Sequence, residues 1–244
     1  MRQFKGARLG LCLAALTVPC AALGDGMGIS DPALVVQASN ASGTGSFSVG
    51  VDQLTETAPG QYSFVQLTPI QIEDTQSGDF VATLTNATLF LVPDPQIGIG
   101  FAVQAGSSDT VFTITSALLS FPALMNQTGE ASAALTLTDV GGNGALLTGN
   151  GPSGNSYAAQ YNGVVPGGTT FASGISMLSS GGSTAGAINV LPTLIAGSVT
   201  DMSAQFSFTL SANDLASGTS NYSITPEPAT LSLLALGFLA LRRR

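Results

Sequence analysis

The chain has 244 residues, 14 carboxylates against six basic residues, no His, no Trp and a formal charge of −8. All six cations stand at the two ends (Arg2, Lys5, Arg8 and Arg242, Arg243, Arg244), and both cysteines, Cys12 and Cys20, fall in the N-terminal segment. A central region without His, Cys, Lys or Arg excludes Ser-His-Asp and Cys-His systems, Schiff bases, a P-loop lysine and an ordinary zinc site, and with nothing to neutralise phosphates it argues against nucleic acid as a partner.

Residues 1–24 read as a signal peptide. Arg2, Lys5 and Arg8 form a positive start, and Leu9 to Val18 is an apolar run broken only by Gly10 and Thr17. Small residues at Ala21, Ala22 and Gly24 suit cleavage by signal peptidase near Asp25, with a cut after Ala22 as the alternative. The run predicts a signal helix too short to span a bilayer. Cys20 raises a lipoprotein reading, but Pro19 precedes it and Thr17 stands where an aliphatic residue is usual. Removal of the segment leaves an exported chain with no disulfide.

Residues 25–225 are long enough for one large β-domain or a pair of small ones, with a generous core. Period-two alternation dominates. Phe47, Val49 and Val51 alternate with Ser46, Ser48 and Gly50; Ile97, Ile99, Phe101 and Val103 alternate with Gly98, Gly100 and Ala102; Ala204, Phe206, Phe208 and Leu210 alternate with Ser203, Gln205, Ser207 and Thr209. One face is apolar and the other small and hydroxylated, the mark of half-buried antiparallel strands. Further strands are predicted over 33–38, 62–72, 80–92, 110–115, 133–138, 170–178 and 187–191, with Gly, Asn, Asp, Ser and Pro between them. Only 117–125 suggests a short helix, limited by Pro122. About ten strands predict an all-β fold, an antiparallel β-sandwich of jelly-roll type, with a β-solenoid second and disfavoured by the lack of a fixed repeat. Most of the ten phenylalanines of this region are expected in the core.

The stretch 140–168, rich in Gly, Asn, Ser and Pro, reads as a long loop or a boundary between two subdomains, and a loop within one domain is preferred because the flanking strands are alike in character. Its Gly149-Asn-Gly-Pro-Ser-Gly154 matches G-x-G-x-x-G, but Pro152 intrudes, 157–161 is a poor helix start and no acid occurs between Asp139 and Asp201, so it reads as turn sequence. Gly154-Asn-Ser156-Tyr-Ala158 resembles a nucleophile elbow with the last glycine replaced, yet no His or Lys is present to take the serine proton.

Glu73, Asp74 and Asp79 crowd one Gly-containing segment, a weak Ca²⁺ candidate whose spacing is not that of an EF-hand loop. The competing and preferred reading is a solvated turn whose charges guard strand edges. Two carboxylates suffice for glycoside hydrolysis, but no Asp-Glu pair stands out, and only Tyr62, Tyr157, Tyr161 and Tyr222 offer aromatic platforms. Asn40, Asn86, Asn126 and Asn221 open N-x-S/T triplets that a chain rich in Asn, Ser and Thr produces by chance.

Residues 226–244 carry the most specific pattern. Pro226, Glu227 and Pro228 lead into an apolar run from Ala229 to Leu241, and the chain closes on Arg242, Arg243 and Arg244. The run has 13 residues, fewer than a stable span requires, and the arginines would hold the extreme end in the cytoplasm. A tail anchor with a Pro-containing linker is the alternative. Triplet, short hydrophobic helix and basic end together closely resemble the PEP-CTERM sorting signal of Gram-negative and related bacteria. That resemblance implies processing at the motif by a membrane-embedded exosortase, which releases or re-anchors the upstream domain; it covers only this tail. The expectation is a non-enzymatic protein held transiently in the inner membrane and delivered to the cell surface or extracellular matrix. Its role there would be structural or adhesive, with extracellular polysaccharide as a partner. A carbohydrate-binding module using Tyr and carboxylates on an open sheet face is the second reading, and a carboxylate hydrolase the third.

Overall fold

The structure, a computed structural model, describes residues 28–92 and 95–226. Its strands are β1 (Gly28–Ile29), β2 (Leu34–Asn40), β3 (Gly43–Val49), β4 (Thr55–Ala58), β5 (Gln61–Gln66), β6 (Ile70–Glu73), β7 (Phe80–Val92) and β8 (Gln96–Ala105). They continue with β9 (Thr110–Ser116), β10 (Leu119–Thr138), β11 (Ala145–Gly149), β12 (Tyr157–Tyr161), β13 (Thr169–Gly174), β14 (Met177–Ser180), β15 (Ser183–Leu210) and β16 (Leu215–Thr225). The described residues contain no α-helix, only 3-10 turns at Val51–Gln53 and Pro152–Gly154. The expected all-β antiparallel class therefore holds. The two expected flanking helices lie outside the described residues.

The spine is a ribbon. β9 and β10 follow one another along a single edge of β15, from Thr110↔Leu210 through Leu119↔Met202 to Thr138↔Ser183. Register shifts between Ser120 and Leu124, Met125 and Gln127, and Gly129 and Ala131 bend it without breaking it, since a bulge adds twist while the ladder resumes beyond it. Asn126 and Gly197, both with positive φ, sit at one of these shifts. Outward from the ribbon, β9 carries β2 and then β3, while β10 carries β16, β8, β7, β5 and β4 in succession. The opposite edge of the β15 C-terminal half takes β11 and β12, which in turn pair with β14 and β13. All sixteen strands thus share one hydrogen-bonded sheet, curled into a half-barrel. Among the described residues one continuous ladder path links all of them, and the two separate sheets expected of a jelly-roll sandwich are not seen.

The core fills the concave side. Phe101 of β8 meets Phe206 and Phe208 of β15 at ring-centroid distances of 5.0 and 6.0 Å, so the flanks of the curl close on each other there. Gly218 of β16 lies under the Phe101 ring, where any Cβ would collide with it. Phe101, Phe112, Phe121, Phe206 and Phe208 are buried as expected, whereas Phe80 and Phe90 are exposed.

Five expectations about elements change. The helix suggested over 117–125 is strand, since β10 begins at Leu119 and pairs with β1 and β15. The loop expected over 140–168 contains β11 and β12. The strand 62–72 divides into β5 and β6 around Pro69, and 170–178 divides at Ile175, where φ is +66°. Segments 187–191 and 204–210 belong to one strand, β15.

Candidate functional site

The convex face of β7, β8, β16, β10 and β15 presents a regular grid. Cross-strand register sets Asn86, Ala102, Ser217, Thr136 and Ala185 in one row, and Thr88, Gly100, Thr219, Ala134 and Ala187 in the next. Phe90, Gly98, Asn221, Ser132 and Asn189 form the third. Strands about 4.8 Å apart make each row about 19 Å wide, and alternate residues place successive rows about 7 Å apart. Phe90 is the one large side chain in the grid, and none of the fifteen is charged. Because the side chains are small, the backbone is reached between them, and two open shallow troughs of ≈ 320 and ≈ 410 Å³ run across these strands. Neither trough has a carboxylate in its lining.

The carboxylates serve elsewhere, mostly as loop clasps. Asp74 Oδ1 accepts the Thr44 N–H at 2.8 Å, and its Oδ2 accepts the N–H groups of Gln76 and Ser77 at 3.0 and 2.7 Å and the Ser77 hydroxyl at 3.0 Å. The Thr44 N–H, followed by the Ser77 N–H and hydroxyl, lowers its pKa to about 2, because a hydrogen-bonded carboxylate resists protonation. Asp139 accepts from Gly142 and Gly144, Asp201 from Gly163, Glu56 from Gly60, and Asp31 from Val51. A carboxylate with no cation in reach is well paired by loop N–H groups.

This arrangement decides how the calcium candidate reads. Asp74 spends both oxygens on the loop and on β3, and no group of three or more His, Cys, Asp or Glu among the described residues is placed to hold a metal ion. Glu73, Asp74 and Asp79 are neighbours in sequence that the fold does not gather into a ligand set. The turn reading with edge protection fits better: Thr75 N–H donates to the Thr44 carbonyl at 3.1 Å, so the segment caps the edge of β3.

The tyrosine platforms expected of a sugar-binding face are absent from it. Tyr157 and Tyr222 are fully buried, and Tyr62 and Tyr161 are half-buried. Tyr222 stacks on Phe171 at 5.4 Å, and Tyr157 packs on Phe206 at 5.0 Å. Burial pushes the pKa of both phenols well above the usual range. The Tyr157 hydroxyl approaches Ser220 Oγ without reaching hydrogen-bond geometry, and neither it nor the Tyr222 hydroxyl has a partner. From Gly149, the last residue of β11, the chain passes through the 3-10 turn Pro152–Gly154 into strand β12 and not into an α-helix, and the buried Ser156 hydroxyl has no partner among the described residues.

Of the expected sorting motif, Pro226 is described; Glu227, Pro228 and Arg242, Arg243 and Arg244 lie outside the described residues, as does the expected signal peptide. β16 is held on both sides up to its last turn of ladder, Thr225↔Thr128 on β10 and Ser223↔Gln96 on β8, so Pro226 follows the sheet with no intervening linker. Among the described residues no helix is long and apolar enough to cross a membrane.

No family model matches this chain, and no curated protein matches it. The sequence reading missed the grid as a unit. Its signal was the small, hydroxylated half of each alternating strand; which strands lie side by side follows only from long-range register.

Proposed function

We propose that the chain is an exported, non-catalytic protein of the cell surface or extracellular matrix. It would be cleaved by signal peptidase, held briefly in the inner membrane by its tail, and processed by an exosortase at Pro226–Pro228. Its role is structural or adhesive. The observation that carries this reading is the uncharged grid of small Ser, Thr, Asn, Ala and Gly side chains on an open sheet face, set beside carboxylates that are committed to loop backbone. Such a face suits broad contact with a neutral, hydroxyl-rich surface better than it suits chemistry, which needs a titratable pair converging on one cleft.

Mass spectrometry of the native protein from membrane and medium tests the export route. The expected mature chain begins near Asp25 and ends near Pro226; a full-length chain retained inside the cell would refute it. A carbohydrate-binding module is the second reading, supported by the amides of Asn86, Asn189 and Asn221 on the grid. Glycan-array binding that Thr219→Lys abolishes would favour it over a passive scaffold.

A further inference from the structure

Three exposed apolar side chains flank the point on the β10–β15 ribbon beside which β16 ends. Leu191 and Leu194 of β15 and Met125 of β10 are 69, 59 and 62% exposed. Leu194 lies opposite Thr128, and Thr128 opposite Thr225, the last residue of β16. Leu194 and the exit point of the chain therefore lie in one row across three strands, two strand spacings or about 10 Å apart. Ser198, opposite Met125, continues the same end. The two strand segments that carry these side chains are uncharged: no charged residue occurs between 140 and 200 or between 110 and 129. Glu130 borders the patch and accepts the Ser223 hydroxyl at 3.1 Å.

Chain length then limits where this end can be. Three residues, Pro226, Glu227 and Pro228, separate Thr225 from Ala229, where the apolar run begins, and the four Cα–Cα steps between them span at most about 14 Å. The headgroup layer on each side of the hydrocarbon is about 5–8 Å thick. If the run is seated in a bilayer, the Thr225 end of the sheet cannot rise far above the headgroups, and the apolar side chains 10 Å away meet the same layer.

We propose that Leu191, Leu194 and Met125 form a membrane-resting surface that docks the body on a zwitterionic phospholipid face while the tail is inserted. This rests on the reading of 226–244 as a membrane-seated sorting signal. The acidic body disfavours an anionic surface, and the patch orients the exit of β16, with Pro226, toward the interface at which processing would occur.

The test uses the full chain with Cys12→Ala and Cys20→Ala, carrying an environment-sensitive dye at Leu194→Cys, reconstituted with phosphatidylcholine vesicles. The reference site is Val140→Cys, also exposed and beyond the far end of β10, more than 30 Å along the strand from Thr128. The expected result is a blue shift and quenching by a lipid-borne quencher at position 194 but not at 140. Leu191→Asp in the same labelled chain should abolish the shift while the chain still floats with the vesicles. A vesicle-bound chain whose 194 dye remains as water-exposed as that at 140 overturns the docking surface alone. A shift that follows protein concentration without lipid assigns the patch to a second copy of the chain and also overturns it. Failure of the full chain to float with vesicles removes the membrane-seated tail, and the docking surface with it.

Discussion

The Asp74 carboxylate shows, at the scale of one residue, how a cation-free chain uses its acids. Four donors hold its pKa near 2, against about 3.9 for an unstructured aspartate. The folded state thus keeps its charge where the unfolded state takes up a proton. The resulting stability is complete above about pH 4 and is lost as the pH falls toward 2. Asp74→Asn should lower the melting temperature at pH 7 and flatten its decline between pH 4 and 2, as read by calorimetry; an unchanged slope would show that the clasp contributes nothing. The buried phenols give the opposite sign. Their raised pKa stabilises the fold below about pH 10, and this stability is lost at higher pH as the unfolded tyrosines ionise. In a chain carrying Tyr62→Phe and Tyr161→Phe, the tyrosinate absorbance of Tyr157 and Tyr222 should therefore appear together with unfolding and not before it. The Tyr222 hydroxyl has no partner, and an unsatisfied buried hydroxyl costs about 1–3 kcal/mol. Tyr222→Phe should therefore leave the protein as stable or stabilise it by about 1 kcal/mol in urea denaturation; a loss of more than that would mean the hydroxyl is satisfied in solution.

Between elements, the decisive contact is the seam where β3 meets the end of β6. Gly45 lies against the Glu73 carbonyl and Ile72 Cγ2, so that any Cβ there would strike backbone. Gly45→Val should part the seam that Asp74 and Thr75 fasten, destabilising the protein by about 1–3 kcal/mol as overpacking does. Faster amide exchange confined at first to β2 and β3 would locate the damage; uniform exchange across the sheet would contradict it. Elements of this kind were only partly legible in the sequence. The alternation of Ile97 to Val103 and of Ala204 to Leu210 gave β8 and the end of β15, because burial on one face writes period two into the residues themselves. β12 was hidden because Tyr157 to Tyr161 is buried at four of its five positions and so shows no alternation. The union of β9 and β10 along β15 was hidden for a different reason: residues 110 and 210 are partners, and pairing across a hundred positions leaves no local trace. The candidate face shared both fates. Its small side chains were visible strand by strand, but their alignment into rows depends on those distant registers. Of the tyrosines expected at a surface, Tyr157 turned inward because β12 is covered along nearly its whole length, and Tyr222 because the end of β16 alternates and offered it a core position.

For the whole molecule, the charge distribution sets how stability responds to salt. The body from 25 to 225 holds 13 carboxylates and no cation. Its electrostatics is therefore repulsion between acids plus the short-range hydrogen bonds by which loops clasp them. Salt acts on the two unequally. The screening length falls from about 30 Å at 0.01 M to about 4–5 Å at 0.5 M, which removes the repulsion between distant acids but hardly touches an N–H donor 2.7 Å from its acceptor, as in the Ser77–Asp74 bond. A protein held by ion pairs loses attraction as well as repulsion under the same change; this one has no such attraction in its body to lose. The melting temperature of the full chain, whose six cations are confined to 2–8 and 242–244, should rise steadily between 0.01 and 0.5 M NaCl. A gain of 1 kcal/mol corresponds to about 2–4 °C for a domain of this size, and a rise of that order is expected by scanning calorimetry. A flat or falling curve would mean that the terminal cations fold back onto the body and pair with its acids. That outcome would also undo the view of the two ends as address labels separate from the sheet they deliver.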